Sequence, residues 1–315
     1  MTSKPIIIDH AAVVEALSQL DPVQAMRELF TAFGNARAVQ PPQTITEFPS
    51  GGDFITYLGA IEGERVFGAK LSPYLPRKTD PIITAWTVLM SMEDGQPLAL
   101  VDAGVLTRQR TAATTALAVD LLARKDKPLN LAIIGAGAVA QAHMQLVDNL
   151  REWASVKVYS PSLAKNETKQ SAWRAIIPDF EAPATAKDAI SRADVIMLCT
   201  SSGSPVIQTA DVKSSALVTS ISTNVPKAHE VDPAFLSYAQ VFCDYRETTP
   251  DSAGDMLLAA ELHGWDKDQV VGDLAELCTN TLPDLKENHP VYFRSIGLGL
   301  EDVAIANAIY NRIAG

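Results

Sequence analysis

The sequence predicts an α/β protein with a Rossmann-type, doubly wound parallel sheet and a second, α+β domain. Its 315 residues favour about two domains. From residue 130 onward, short apolar runs alternate with helical segments, which is typical of a parallel sheet with helical crossovers. Before that point, short β-branched runs separated by turn residues indicate an antiparallel meander. We place residues 1–115 and 291–315 in the α+β domain and residues 116–290 in the Rossmann domain.

The first domain begins with two predicted helices, 9–20 and 22–36, each with an aspartate near its start as an N-terminal signal. The expected meander strands follow, at 44–48, 54–58, 66–71, 84–92 and 98–102. An alanine-rich segment without glycine or proline predicts a helix over 107–123.

The second domain is predicted to alternate strands and helices after a glycine-rich turn. Expected strands are 131–134, 156–159, 195–199, 217–222 and 241–243. One helix is expected to follow the glycines and run to about residue 150, and two more are expected at 165–177 and 186–192. Asp251, Gly254 and Asp255 are expected in a solvated loop. A last helix over 298–313 follows this domain and is expected to pack on the first.

Composition narrows the class of function. The net charge is −11, from 26 basic and 37 acidic residues, so a nucleic-acid partner is not expected. No apolar run is long enough to span a membrane, and the first residues lack a signal-peptide pattern. The three cysteines are far apart in sequence and the histidines lack ligand spacing, which argues against disulfides and metal sites. We therefore expect a cytoplasmic protein with neither a membrane partner nor a metal.

A dinucleotide-binding turn is the most specific motif. Gly135, Gly137 and Ala140 form G-x-G-x-x-A between a predicted strand and a predicted helix. Gly135 permits a tight turn, Gly137 lets the backbone approach a pyrophosphate, and Ala140 allows close helix–strand packing. The backbone N–H groups of Ala138 and Val139, at the helix start, are expected to face the anion.

The end of the second strand bears on cofactor choice. An NAD-selective site usually has an acidic residue there for the ribose 2′-hydroxyl, whereas this sequence has Ser160 and Ser162. These hydroxyls, with Lys165 nearby, suit a 2′-phosphate. NADPH is the preferred cofactor on this reading, with NADH possible.

Two cations in the first domain are candidate anion ligands. The strand alternation can turn Lys70 inward, and Arg110 lies near the start of the predicted helix, where the dipole disfavours a cation. Arg110 is therefore expected to face a carboxylate or phosphate. A solvated surface position is the alternative for each.

Several motifs in fixed order resemble the ornithine cyclodeaminase/mu-crystallin family from about residue 38 to the C-terminus. They are Gly68-Ala69-Lys70, Asp94-Gly95-Gln96-Pro97, Leu106-Thr107-x-x-Arg110-Thr111-Ala112-Ala113, the glycine turn, Glu230-Val231-Asp232 and Ser295-Ile296-Gly297. The resemblance implies a homodimer built on the first domain and an active-site cleft against the Rossmann domain. It implies that Lys70 and Arg110 line that cleft and that Thr84, Ser222 and Ser295 lie near the nicotinamide. We expect Lys70 and Arg110 to be the catalytic residues. Thr111 and Thr200 complete the expected cofactor contacts.

Departures from the family pattern indicate which reaction to expect. Asn224 stands where cyclodeaminases carry a catalytic aspartate, and an amide cannot act as a general base. Residues 222–230 resemble the branch that reduces Δ1-pyrroline-2-carboxylate and Δ1-piperideine-2-carboxylate. Gln43 replaces an arginine that commonly holds the substrate carboxylate. Asn224, Gln43 and Arg77 are the expected substrate contacts, and Lys70 with Arg110, or Arg77, is expected to hold the carboxylate.

We therefore expect NAD(P)H-dependent reduction of a cyclic imino acid to L-proline or L-pipecolate. The alternatives are an ornithine cyclodeaminase, an alanine-dehydrogenase-like imine reductase and a crystallin-like, NADPH-dependent ligand-binding protein. Glu301 and Asp302, in the first turn of the last helix, suit the helix dipole and are given no catalytic role.

Overall fold

The computed structural model describes residues 4–222, 227–281 and 285–315. The chain divides into two compact units, Met1–Thr111 with Gly297–Gly315 and Ala112–Ile296. The functions predicted for the two parts of the sequence, substrate binding with dimerisation and dinucleotide binding, remain predictions.

The first unit is a mainly antiparallel sheet with three helices and the start of a fourth. Its strands are β1 (Ile6–Ile8), β2 (Ala38–Val39), β3 (Thr44–Glu47), β4 (Asp53–Ile61), β5 (Val66–Leu75), β6 (Ile82–Ile83), β7 (Trp86–Ser91) and β8 (Pro97–Asp102). The strand order is β1-β8-β7-β5-β4-β2, with β3 on β4 and β6 on β5. The antiparallel pairs β4–β5, β5–β7 and β7–β8 are the predicted meander, and β1, which the sequence did not predict, adds a parallel edge strand.

The helices of this unit are α1 (His10–Leu17), α2 (Pro22–Gly34), the start of α3 (Gly104–Leu122) and α9 (Gly299–Ala314). Asp9 and Asp21 cap α1 and α2 by accepting backbone N–H groups, as predicted. α3 begins three residues before the predicted start because Asp102 accepts the Gly104 N–H at 3.1 Å. Helix α9 packs on β4 and β5.

The contact between α9 and the sheet is close because glycines stand where the backbones approach. A Cβ atom on Gly59 would lie 2.8 Å from the Leu300 nitrogen and 2.9 Å from its Cα. Contacts this short exclude any side chain at the position. The approach fixes the first turn of α9 over the C-terminal half of β4.

The second unit is a doubly wound α/β domain, which confirms the predicted fold class. Its strands are β9 (Leu129–Ile134), β10 (Trp153–Tyr159), β11 (Val195–Leu198), β12 (Leu217–Ser220), β13 (Gln240–Cys243), β14 (Val270–Asp273) and β15 (Val291–Arg294). They pair in parallel in the order β10-β9-β11-β12-β15-β13-β14. The helices are the rest of α3, α4 (Ala138–Val147), α5 (Glu167–Arg174), α6 (Ala186–Ile190), α7 (Gly254–His263) and α8 (Leu274–Cys278).

Two expectations for this unit were wrong. The helix predicted from residue 165 begins at Glu167, because Asn166 accepts the Lys169 N–H at 2.9 Å and caps it there. Gly254 and Asp255 do not lie in a solvated loop but open α7. Asp255 is fully buried and accepts hydrogen bonds from Arg294 Nε, at 2.9 Å, and the Tyr292 hydroxyl. These partners lie nearly forty residues away, so no local pattern shows them.

Among the described residues, no helix has the length and apolar character needed to cross a bilayer.

We predict that Gly59→Ala destabilises the protein by about 1–3 kcal/mol, because the added methyl group forces α9 away from β4. Gly63→Ala is the matched control, since a Cβ there meets no atom within 4 Å in the described structure. Thermal unfolding followed by circular dichroism measures both. Equal melting temperatures for the two variants would contradict the close packing of α9.

Candidate active site

The predicted glycine turn joins β9 to α4 at the carboxyl edge of the parallel sheet. Gly135 has φ +116°, and its N–H donates to the Tyr159 carbonyl oxygen at 2.8 Å. A Cβ there would lie 2.3 Å from the Cys199 carbonyl oxygen. The turn is thus pressed between the ends of β10 and β11, which requires glycine both for its backbone angle and for space.

Gly137 occupies the N-cap of α4 and differs from Gly135 in its surroundings. A Cβ at this position would meet no atom within 4 Å in the described part of the chain. Trp173 Nε1 donates to the Ala136 carbonyl oxygen at 3.2 Å and fixes the turn between the two glycines. The first N–H groups of α4, which lack intrahelical acceptors, therefore face an open cradle.

A cleft of about 940 Å³ lies at this edge of the sheet. Residues at the ends of β9, β10, β11 and β12 line it, on both sides of the point where strand order reverses around β9. Such a switch point is where doubly wound domains bind their ligands. Seven predicted cofactor residues line the cleft: Gly135, Gly137, Ala138, Val139, Ser160, Thr200 and Ser222.

Two of these side chains offer free hydrogen-bonding capacity. The hydroxyl oxygens of Ser160 and Ser222 are buried, and neither has a hydrogen-bond partner within the described structure. Ser160 directly follows β10, the position of the ribose-binding acid in NAD-selective sites. The open cradle at Gly137 and these two hydroxyls fit a dinucleotide.

Glu230 shapes the floor of this region through hydrogen bonds to two strand ends. Its side chain is fully buried. Oε1 accepts from the Thr200 N–H at 2.8 Å and hydroxyl at 2.7 Å. Oε2 accepts from the Ser220 hydroxyl at 2.7 Å and the Ser222 N–H at 2.9 Å. The sequence indicated Glu230 only as part of a family motif, because its partners lie on other strands.

The remaining predicted cofactor residues lie elsewhere. Ser162 is exposed and accepts from Lys169 Nζ at 2.8 Å, and the Ser295 hydroxyl is buried and donates to Asp244 Oδ2 at 3.1 Å. Neither lines the cleft described above. Thr84 and Thr111 belong to the first unit, where Thr84 is exposed and the Thr111 hydroxyl donates to the Thr107 carbonyl oxygen. Their contacts with a cofactor stay predictions.

The first unit contains a buried cluster of four charges. Lys70 projects from β5 toward α9, and its Nζ lies 2.8 Å from Asp302 Oδ2. Arg110, on α3, donates from Nε to Asp302 Oδ1 at 3.1 Å and from Nη1 to Glu301 Oε2 at 2.9 Å. No residue of the cluster is more than 4% exposed. Two cations and two carboxylates therefore share one water-poor site.

The surroundings of Lys70 lower the pKa of its amine toward neutral pH. Burial is the largest influence and lowers its pKa, Asp302 opposes this, and Arg110 lowers it further; the result is about 8. The ammonium also lies 4.0 Å from the centre of the Tyr57 ring. For Arg110, burial acts to lower the pKa, but Asp302 and Glu301 outweigh it and raise the pKa. Lys70 can therefore exchange a proton near neutral pH, whereas Arg110 stays charged.

This cluster corrects two interpretations of the sequence. Arg110 lies beyond the first turn of α3, so the helix dipole does not explain its need for an anion. Its anionic partners are Glu301 and Asp302. Both lie in the first turn of α9, as predicted, but they also pair with the buried Arg110. The pairs join residues 191 and 192 positions apart, and no sequence pattern indicates them.

The predicted substrate contacts stay predictions. Gln43 is half-buried just before β3, and its Oε1 has no hydrogen-bond partner among the described residues. Arg77 is exposed after β5. Asn224 lies outside the described residues. Within the described ranges there is no group of three or more His, Cys, Asp or Glu side chains that could hold a metal ion.

The parallel sheet, its glycine turn and the cleft at the switch point define a dinucleotide-binding protein of the doubly wound class. The chain belongs to the ornithine cyclodeaminase/mu-crystallin family, whose model matches residues 4–315. It is an enzyme of an NAD(P)H-dependent oxidoreductase family.

Three comparisons place it more closely. The chain is 52% identical over 307 residues to the NAD(P)H-dependent anabolic L-arginine dehydrogenase of Pseudomonas aeruginosa, covering 97% of this chain and 96% of that protein. It is 27% identical to the Δ1-pyrroline-2-carboxylate reductase of Colwellia psychrerythraea, over 80% and 81% of the two chains. An archaeal alanine dehydrogenase dimer with bound NAD superposes with a TM-score of 0.87 at 25% identity, covering 98% of this chain and 96% of that chain.

We predict that Gly137→Ala folds normally but weakens NADPH binding by about 10–100-fold. The added methyl group meets no protein atom and instead occupies the space a pyrophosphate needs. Gly203→Ala is the control, because its Cβ is also unobstructed in the described structure, and Gly203 does not line the cleft. Fluorescence titration with NADPH, with melting temperatures measured alongside, tests this. Unchanged affinity would place the pyrophosphate elsewhere.

Proposed function

We propose that this protein is an NAD(P)H-dependent L-amino-acid dehydrogenase that reduces the imine of a 2-oxo acid with a cationic side chain, arginine being the favoured product. The observation that carries the reaction is Lys70, a buried amine with a pKa of about 8 inside a charged cluster. The substrate class is supported by the 52% identity with an L-arginine dehydrogenase over almost the whole chain.

The chain's residues have distinct parts in this reaction. The cleft residues Gly137, Ser160 and Ser222 would hold the cofactor, which supplies a hydride to C2 of the C=N bond when bound. Reduction moves the C=N electron pair to nitrogen, and Lys70 donates the proton that nitrogen takes up. Arg110 stays charged and pairs with the substrate carboxylate.

The charge balance of the cluster supports a zwitterionic substrate. Lys70 and Arg110 are matched by Glu301 and Asp302, so the buried site carries no excess positive charge. A substrate with one carboxylate, one guanidinium and a neutral imine leaves this balance unchanged. A second carboxylate would stay uncompensated in a site with little water, which is costly.

The cofactor preference follows from the end of β10. Ser160 has a buried hydroxyl without a partner in the described structure and no neighbouring acid to repel a phosphate. This supports NADPH as the preferred cofactor, with NADH also used.

A second copy of the chain is the proposed partner. Leu58, Phe67 and Leu71 are 38–42% exposed and lie on one face of β4 and β5, opposite the face that buries Lys70. An apolar face of this kind is typical of an interface. The related alanine dehydrogenase is a dimer, which also supports a homodimer.

Reduction of a cyclic ketimine is the second candidate. The 27% identity with a Δ1-pyrroline-2-carboxylate reductase favours it. The two reactions share hydride addition to a C=N bond beside a carboxylate. They differ in whether ammonia is a co-substrate.

A substrate panel followed at the NAD(P)H absorbance separates these functions. We expect 5-guanidino-2-oxopentanoate with ammonia to exceed 2-oxoglutarate with ammonia by at least about 100-fold in kcat/KM, since the latter brings an unpaired charge. NADPH is expected to give the higher kcat/KM of the two cofactors.

Other results of this panel would point to other functions. Faster reduction of Δ1-pyrroline-2-carboxylate without ammonia would support the ketimine reductase. Ammonia release from ornithine without net NAD(P)H consumption would indicate a cyclodeaminase, and tight NADPH binding without any turnover would indicate a ligand-binding protein.

Lys70→Ala is expected to lower kcat/KM by about 10²–10⁴-fold, the usual contribution of a positioned proton donor. NADPH affinity should remain unchanged, because the cleft residues are intact. Lys78→Ala, which removes an exposed lysine, serves as control. Steady-state kinetics with full activity in Lys70→Ala would remove Lys70 from the reaction.

A further inference from the structure

Asp302 contacts both cations of the cluster, Lys70 and Arg110. Its Oδ2 lies 2.8 Å from Lys70 Nζ, and its Oδ1 accepts from Arg110 Nε at 3.1 Å. The side chain is fully buried. Glu301, the neighbouring carboxylate, pairs with Arg110 at Nη1. Asp302 therefore fixes the distance between the amine and the guanidinium.

We propose that Asp302 is a positioning residue, whose bridging carboxylate holds Lys70 in place beside Arg110 and keeps the reactive proton on the Lys70 amine. The proposal rests on the function proposed above for Lys70, and it assigns to α9 a part in the reaction. Asp302 acts through Lys70 and not on the substrate.

Stability alone is a weak reason for such an arrangement. Burying four ionised side chains is costly, and apolar residues of similar volume often serve a core equally well. The cluster is instead suited to holding a proton at a defined atom. A bridging carboxylate restrains the Lys70 amine at one end of a flexible side chain, which would otherwise sample many rotamers.

The charged and titratable groups that act most strongly on Lys70 come from three elements besides its own. Asp302 and Glu301 come from α9, Arg110 from α3 and Tyr57 from β4. Burial and Arg110 favour the neutral amine, whereas Asp302 and, more weakly, Glu301 favour the ammonium. Removing the Asp302 charge therefore lowers the pKa of Lys70 below about 8.

The sign of the pH effect follows directly. In the reductive direction Lys70 must carry its proton, so activity is present below its pKa and is lost as the pH rises through about 8. In Asp302→Asn the same loss occurs at lower pH. An opposite charge at this distance shifts a pKa by about one to three units, and we expect a displacement in that range.

The test reads the Lys70 amine directly, without turnover. Protein labelled with [13Cε]lysine is titrated by NMR, and the Lys70 signal is assigned by its loss in Lys70→Arg. We expect the midpoint near 8 in the unmodified protein and about one unit or more lower in Asp302→Asn. Glu301→Gln should move the midpoint less. An unchanged midpoint in Asp302→Asn would overturn the proposal.

Kinetics supply the second readout. The alkaline limb of kcat/KM should move with the NMR midpoint, and kcat at pH 8 should fall at least about tenfold in Asp302→Asn. Asp302→Glu keeps the negative charge but moves it. The midpoint of the Lys70 titration should therefore be retained, whereas kcat should fall. This variant also covers the case in which Asp302→Asn fails to fold. Full kcat in Asp302→Glu would overturn the positioning role.

The outcome also separates this proposal from the proposed function. A displaced Lys70 midpoint with no turnover on any substrate of the panel would support Asp302 and contradict the dehydrogenase. Dehydrogenase activity on the panel, with the same pH profile in the unmodified protein and in Asp302→Asn, would support the proposed function and contradict the role of Asp302.

Discussion

The return of the C-terminal helix α9 onto the first unit's sheet is the constraint on which the rest of this site depends. Gly59 allows the start of α9 to approach β4 so closely that a Cβ would lie 2.8 Å from a backbone nitrogen. That approach carries two carboxylates to Arg110, which lies 191 and 192 positions earlier in the chain, and one of them also to Lys70 on β5. Without it, Lys70 and Arg110 would be two buried charges without partners, which is a strongly destabilising arrangement. The charged cluster is therefore complete only when α9 is packed on the sheet.

Buried carboxylates have different tasks in the two units. In the second unit, Glu230 accepts four hydrogen bonds from neutral donors and so holds the ends of β11 and β12 at the edge of the cleft. In the first unit, Asp302 meets two cations and carries a charge that both of them need. The first arrangement shapes the backbone, and the second, in the role proposed above, controls the protonation of Lys70.

How far the sequence predicts this site depends on how many positions separate the interacting residues along the chain. The turn at Gly135 and Gly137 is a local motif, and its surroundings follow from a strand, a helix and their order. Lys70 could be placed inward because side chains alternate along a strand. The roles of Asp302, Glu230 and Asp255 could not be predicted, since each is defined by partners on elements that are distant in sequence. The start of α3 was missed for a smaller reason, a cap by Asp102 just outside the alanine-rich pattern.

In the proposed reaction, the charge balance within the buried cluster limits which substrates can bind. Family resemblance suggested that Lys70 and Arg110 form a positive cradle for an anionic substrate, yet the structure neutralises both with α9. A neutralised cluster still orients a carboxylate through directed N–H donors, but it gives no net attraction to a second one.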